Sequence, residues 1–471
     1  MSASTRLSNA APWACELGPC ISQVDVPQAR HWARGVSIVR LAWDKFLEMG
    51  MQQPDICNDL SPKPPRAWQT HARRLMTLTA TMTAARTTMM ATKNVELEQV
   101  TDKSVTAGRP WSITILKLVT AVARAGVSRS MSVDQARAQV LGAFFGFAPF
   151  LSHGTNLALD HTFKGFFKDS RLTSFSGQIG DALGLLYAES IGKPWFVHFG
   201  DVRPPGKALP RSEPDYVVSD NREAGLLECK ASTSSAKPQY TARSRARAGF
   251  KKQVDPWSAR VFTMPPVPSH PPATPRVAYG MCFAAAMTTS KTVTAVRQEH
   301  FAKSSLAART VRLLSYGNWA RIMELHSLAD ALLNGIHPTN SINVVSARIA
   351  GKEFVFSTWP DDFVHPLALN CYAPCLLGES VVFGLERKIA ERIVVEARQD
   401  GANRYAGQVA PFEIDGDIPD IRNTEPFPLL SKDELSAIVQ GSGGRAAAFH
   451  DGGIAVESRF LSECNQSETV L

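Results

Sequence analysis

Three charged residues in two short apolar segments carry the sharpest chemical signal in this sequence. Asp215 follows Pro214 in EPDYVVSD, and Glu228 and Lys230 flank Cys229 in LLECKAS. Both segments read as β-strands, and the turn-forming DNREAG between them would fold one back on the other. On a strand, residues two apart face the same side. Glu228 and Lys230 therefore point together, while Leu227 and Cys229 point the other way. Charges on an apolar strand are costly unless they are exposed or used. Pro214 suits the first position of a strand, where its missing N–H matters least. If the strands pair through the turn, Asp215 approaches Glu228. Two close carboxylates repel, and a hard divalent cation relieves this by taking oxygen ligands. A lysine beside them can polarise water or stabilise charge developing on a phosphate. The same letters recur at Pro360-Asp361 and Glu386-Arg387-Lys388. There, however, LERKIAERIVVEARQ has charges at helical spacing, and the segment reads as a solvated helix.

The elements that must position these residues are legible on both sides. Upstream, SGQIGDALGLLYAESIG reads as a helix with Ile179, Leu183, Leu186 and Tyr187 on one face, and PWFVHF as a short strand. Downstream comes a basic stretch, YTARSRARAGFKKQ, then a proline-rich connector at 264–275, then the apolar run RVAYGMCFAAAM, of buried-strand type. The order is helix, strand, strand, strand, helix, strand, an α/β arrangement with a mixed central sheet. Between residues 231 and 260 the cations are Lys237, Arg243, Arg245, Arg247, Lys251, Lys252 and Arg260, and the only acid is Asp255. On a helix, Arg243, Arg247 and Lys251 would stack along one side, a stripe suited to several phosphates without sequence reading.

The strings EPDYVV and LLECKAS resemble the PD-(D/E)xK nuclease superfamily, which has the restriction-endonuclease-like fold: a mixed β-sheet flanked by helices. The resemblance implies Mg²⁺-dependent (or Mn²⁺-dependent) hydrolysis of nucleic-acid phosphodiesters. It makes Asp215 and Glu228 metal ligands, the backbone carbonyl of Cys229 a further ligand, and Lys230 the catalytic lysine. Many members begin with a helix patterned Gly-Glu-x-x-Ala-x-x-Tyr-Leu whose acid joins the metal site. The stretch Ile179–Tyr187 is similar, with Asp181 at the acid's position and one methylene shorter than the usual Glu. Glu189 is the rival acid on the same helix. By the same resemblance Gln253 joins Arg243, Arg247, Lys251 and Lys252 as a nucleic-acid contact. A role in restriction, anti-phage defence or a mobile element follows by analogy with the superfamily. The alternative is a nuclease-fold protein that binds nucleic acid or a partner protein without cutting.

The remaining features frame this core. A chain of 471 residues exceeds one ordinary hydrophobic core. Residues 1–150 read as a mainly helical accessory region, 151–300 as the nuclease-like core, and 301–471 as an α+β accessory region with a loose, Gly- and Ser-rich tail from about 437. In the last region NWARIMELHSLADALLNG reads as one amphipathic helix, and SINVVSARIAGKEFVFST as a hairpin turning at Ala350-Gly351. The formal net charge of +8 suits a polyanionic partner; DNA is the expected one, and the residues do not separate DNA from RNA. A partner protein or self-association stays open. Eight scattered cysteines, among them Cys15, Cys20, Cys371 and Cys375, match neither a disulfide scaffold nor a zinc site. The first residues lack the order of a signal peptide, and no apolar run nears bilayer length, so a cytoplasmic protein without a membrane segment is expected. His153, His161 and His198 read as structural.

Overall fold

The computed structural model describes residues 92–147, 150–152, 154–161, 169–202, 212–233, 236–258, 277–301, 308–334, 342–357, 381–406 and 426–471. All of them lie in one compact unit, Thr79–Leu471. The helices expected before residue 92, the proline-rich connector, the Pro360-Asp361 pair, His153 and the four cysteines named above fall outside these residues.

In chain order the unit contains β1 (Thr92–Val100), β2 (Val105–Ala107), β3 (Trp111–Thr114), α1 (Ile115–Gly126), α2 (Val133–Phe147), α3 (Asp169–Ser190) and β4 (Trp195–His198). There follow α4 (Phe199–Val202), β5 (Tyr216–Ser219), β6 (Ala224–Ser232), α5 (Pro238–Gly249), a π turn (Phe250–Val254), α6 (Asp255–Ser258), β7 (Tyr279–Met287) and β8 (Thr292–His300). The last third holds α7 (Ala308–Ile322), α8 (His326–Asn334), β9 (Asn343–Ile349), β10 (Lys352–Ser357), β11 (Val381–Glu386) and α9 (Arg387–Ala406). It closes with α10 (Lys432–Gly441), β12 (Ala446–Ala448), β13 (Gly453–Glu457), α11 (Ser458–Glu463) and β14 (Gln466–Val470).

The strands form two sheets. The first runs β2-β1-β8-β7-β6-β5-β4, with β3 also paired to β1. It is mixed: β6 pairs parallel with β7 and antiparallel with β5, and β1 joins β8 in parallel. Every residue of β7 is buried, as a continuous apolar run requires when helices cover both faces. On one face lies α3, on the other α5. Under α5 an alanine layer, Ala242 and Ala246 against Ala284, Ala286 and Ala295, lets the helix sit close to the strands. The second sheet runs β12-β13-β11-β10-β9-β14 and is antiparallel throughout. Helix α1 packs on α3 and reaches β12 and β13. There the buried Arg124 pairs with Asp451, and its guanidinium lies 4.6 Å from the Trp319 ring and 4.8 Å from the Phe449 ring. Among the described residues no helix is long and apolar enough to cross a membrane.

Several boundaries differ from the sequence expectation. The first sheet is not confined to 151–300, because β1 enters it from before residue 150 by pairing with β8, nearly 200 residues away. That pairing is set by tertiary contact, and strand periodicity carries no trace of it. The tail from 437 is ordered structure, not slack: Gly443, Gly444 and Gly452 have φ of +61°, +81° and +84°, so they make the turns between short elements. The amphipathic helix expected at 318–335 is two helices, broken at Glu324 with φ +63°. The hairpin is as read, with Ala350 and Gly351 at φ +48° and +80° between β9 and β10. Glu386 ends β11 and accepts a hydrogen bond from Ile389 N at 3.0 Å, capping the charged helix that follows.

Candidate active site

The site forms where β5 leaves β6. The antiparallel ladder places Tyr216 opposite Leu227, and one further step of the same register sets Asp215 opposite Glu228. Pro214 ends the strand there, since it has no N–H to give the ladder. Beyond Tyr216 the Asp215 side chain takes over: its Oδ2 accepts the backbone N–H of Cys229 at 2.8 Å. In an extended strand the N–H and C=O of one residue leave by the same edge, so the Cys229 carbonyl faces this fork as well. The segment before Asp215 is clasped by the π turn and α6. Gln253 Nε2 donates to Glu213 O at 2.9 Å, Trp257 Nε1 donates to Ser212 O at 2.9 Å, and Ser212 Oγ donates to Lys252 O at 2.9 Å.

Helix α3 delivers the third acid. A Cβ on Gly180 would stand 2.8 Å from Ala231 Cβ, and one on Gly184 would stand 2.5 Å from Cys229 Sγ. Two glycines four residues apart thus let α3 lie directly on β6, and Asp181 follows the first of them. Donor atoms of Asp181, Asp215 and Cys229 all lie within 4.8 Å of one another. The shorter side chain of Asp181 therefore reaches the site. Glu189, the rival, does not: its Oε1 accepts from Lys117 Nζ at 3.1 Å and from His450 N at 2.7 Å, against α1 and the second sheet.

Glu228 and Lys230 project to the opposite face of β6, beneath α5, where a Cβ on Gly249 would meet Lys230 Cγ at 3.4 Å and Glu228 Cγ at 3.5 Å. Glu228 is fully buried. Its carboxyl lies within hydrogen-bonding reach of Asp215, which makes Asp215 the common neighbour of both other acids. The Lys230 ammonium contacts Glu228 Oε1 and is itself one-third exposed. Neither carboxylate oxygen of Glu228 accepts a hydrogen bond of normal geometry.

The electrostatics follow from this crowding. Burial, then the charge of Asp215, push Glu228 up to about 9 against the pull of Lys230. Burial and Asp215 likewise push Asp181 up to about 7, opposed by a hydrogen bond to Tyr216 and by Lys230. Burial would lower Lys230, but the hydrogen bond and charge of Glu228 outweigh it and the ammonium is held more firmly. Burial raises the Cys229 thiol well above its ordinary value, so it stays protonated, a poor ligand for a hard cation. The donors that remain are carboxylate and carbonyl oxygens. Asp181 shares the Asp215–Cys229 cluster on the α3 face, whereas Glu228 meets Asp215 from the α5 face, fully buried and paired with Lys230. The carboxylate oxygens of Asp181 and Asp215 and the Cys229 carbonyl are donors of the kind a hard divalent cation takes.

The basic segment is arranged differently from the expected stripe. Arg243 makes a bidentate pair with Glu98, both contacts at 2.7 Å, and Arg247 donates to Thr101 O at 2.8 Å and Ser104 O at 3.3 Å. The π turn adds a residue to the register before Lys251, and both Lys251 and Lys252 are exposed. Gln253 holds the loop that carries Asp215. These roles depend on β1, β2 and the 212–215 segment, which no helical spacing reveals. One neighbour, Tyr216, was missed by sequence reasoning; His198, read there as structural, packs against it. Tyr216, whose hydroxyl donates to Ala125 O at 3.1 Å, borders Asp181, and the His198 ring lies tilted against the Tyr216 ring with centroids 4.9 Å apart. Burial lowers His198, so it is held neutral. The strand alternation of WFVH against DYVV was the available signal. Comparison with known protein families, with curated proteins and with solved structures finds no match.

Proposed function

We propose that this chain is a divalent-metal-dependent nuclease that hydrolyses DNA phosphodiester bonds, on a restriction-endonuclease-like core made of α3, β4–β7 and α5. The observation that carries the reading is that Asp215 at the strand fork neighbours two further acids, Asp181 on the α3 face and Glu228 on the α5 face, with the Lys230 ammonium against Glu228. Asp215, Glu228 and Asp181 would hold the cation, with the Cys229 carbonyl as a further oxygen. The cation, when bound, supplies the positive charge that polarises a phosphate and activates water. Asp215 is fixed by the Cys229 N–H and by the clasp on residues 212–213, so its carboxylate is presented without rearrangement. The Lys230 ammonium contacts Glu228, and its exposed part would donate to a phosphate oxygen or orient water. The tight seat of α3 on β6 excludes solvent from the Cys229 side.

The test is cleavage of plasmid, linear duplex, single-stranded DNA and RNA in Mg²⁺, Mn²⁺ or EDTA, with Asp215→Ala and Lys230→Ala in parallel. Metal-dependent cleavage of DNA that both substitutions abolish is the expected result. Cleavage equal in the variants removes this site from the chemistry. Salt-sensitive binding with no cleavage on any substrate assigns the protein to binding alone.

A further inference from the structure

The outer face of α5 and the π turn combines charge with one unusual aromatic. Residues 236–254 contain six cations and no acid. Tyr240 is 70% exposed, in contrast to the buried Tyr187, Tyr216, Tyr279 and Tyr316. Helical spacing puts Tyr240, Ser244 and Ala248 in line along the exposed side, and Ser244 and Ala248 are small and exposed. Arginines flank this line. On one side Arg245 Nη1 is held by the Ala231 carbonyl at 2.6 Å; on the other Arg247 is held by the Thr101 and Ser104 carbonyls. Carbonyls fix a guanidinium without neutralising it, so both keep a full positive charge, whereas Arg243 spends its charge on Glu98. The line ends at Lys251 and Lys252. The buried side of the same helix at Gly249 touches Glu228 and Lys230, the proposed reaction centre. Gly249 lies nine helical steps beyond Tyr240, about 13 Å along the axis.

We infer that this face is a track for an unpaired DNA strand, with Arg245, Arg247, Lys251 and Lys252 on its phosphates and a base stacked on Tyr240. The inference rests on the nuclease reading for its direction and names the substrate class: DNA with a single-stranded stretch beside the scissile bond. Two charged rails along a shallow line of small residues fit a phosphodiester backbone. The flat ring of Tyr240 stands clear of the helix, with most of its surface in solvent. Such a ring gains by stacking only if a base face is open, and duplex DNA hides both faces of its bases.

Fluorescence anisotropy in EDTA tests this on the full chain, with a single-stranded oligonucleotide and the duplex of equal length. A stacked base is worth about 1–3 kcal/mol, so Tyr240→Ala should weaken single-strand binding about 5- to 150-fold and leave duplex binding unchanged. Tyr240→Phe should restore it. Arg245→Ala and Lys251→Ala should each lower the salt dependence by roughly one phosphate contact. Unchanged single-strand affinity in Tyr240→Ala, equal loss on both DNAs, or wild-type failure to bind single strands overturns the track. Cleavage is read separately with Mg²⁺. A protein that binds as expected but never cuts sinks the nuclease reading alone; one that cuts while Tyr240→Ala binds normally sinks the track alone.

Discussion

Binding of a divalent cation to this site should release protons and should therefore depend steeply on pH. Glu228 sits at about 9 and Asp181 at about 7, while free carboxyls titrate near 4.5 and 3.8. A cation that takes both carboxylates must displace the protons they carry. At pH 7 Glu228 is fully protonated and Asp181 half protonated, so about 1.5 protons leave per ion bound. Between pH 6 and pH 8 the displaced protons integrate to about three decades, roughly a thousandfold gain in affinity, of which about two decades belong to Glu228. Ordinary carboxyls would give an almost flat curve over the same range. Isothermal titration calorimetry with Mg²⁺ or Mn²⁺, in buffers of different ionisation enthalpy, counts the protons directly. Glu228→Gln should lower the count by about one and reduce the pH effect to roughly tenfold. Measurable binding with no proton release at pH 7, or with wild-type release in Glu228→Gln, would refute the argument that these acids are pushed up by burial and by Asp215.

Four further outcomes follow from the same geometry. Without metal, Glu228 and Asp181 bind protons more tightly folded than unfolded, so stability should fall as pH rises from the ordinary carboxylate range to about 9. Glu228→Gln should then unfold at higher denaturant than wild type at pH 8, by roughly 1–3 kcal/mol. Lys230→Ala should lower kcat about 10²- to 10³-fold with little change in fold by circular dichroism, as expected for loss of one group aimed at developing charge. Gly184→Ala forces a Cβ to within 2.5 Å of Cys229 Sγ and should cost about 1–3 kcal/mol by chemical denaturation. Adding Cys229→Ala should recover part of that loss, and a strictly additive double variant would contradict the contact. Asp451→Ala leaves Arg124 charged and buried between the two sheets and should cost about 3–5 kcal/mol, measured the same way.

The sequence by itself determined the local parts of this site. Period-two alternation put Glu228 and Lys230 on one face of a strand. Pro214 marked where the neighbouring strand must end, and the Gly180-Asp181 helix pattern placed an acid on the helix before it. These are short-range facts, fixed by backbone geometry within a few residues. Tertiary structure alone decided which acid joined the centre. Asp181 and Glu189 lie on one helix, and only the seating of Gly180 and Gly184 on β6 turns the first toward Asp215 while Lys117 and His450 take the second. It also reassigned the basic segment, because the partners of Arg243 and Arg247 come from β1 and the 101–104 turn, about 145 residues earlier in the chain. Pairing over such distances depends on which surfaces are left to bury once the local elements have formed, and no spacing within one segment records it.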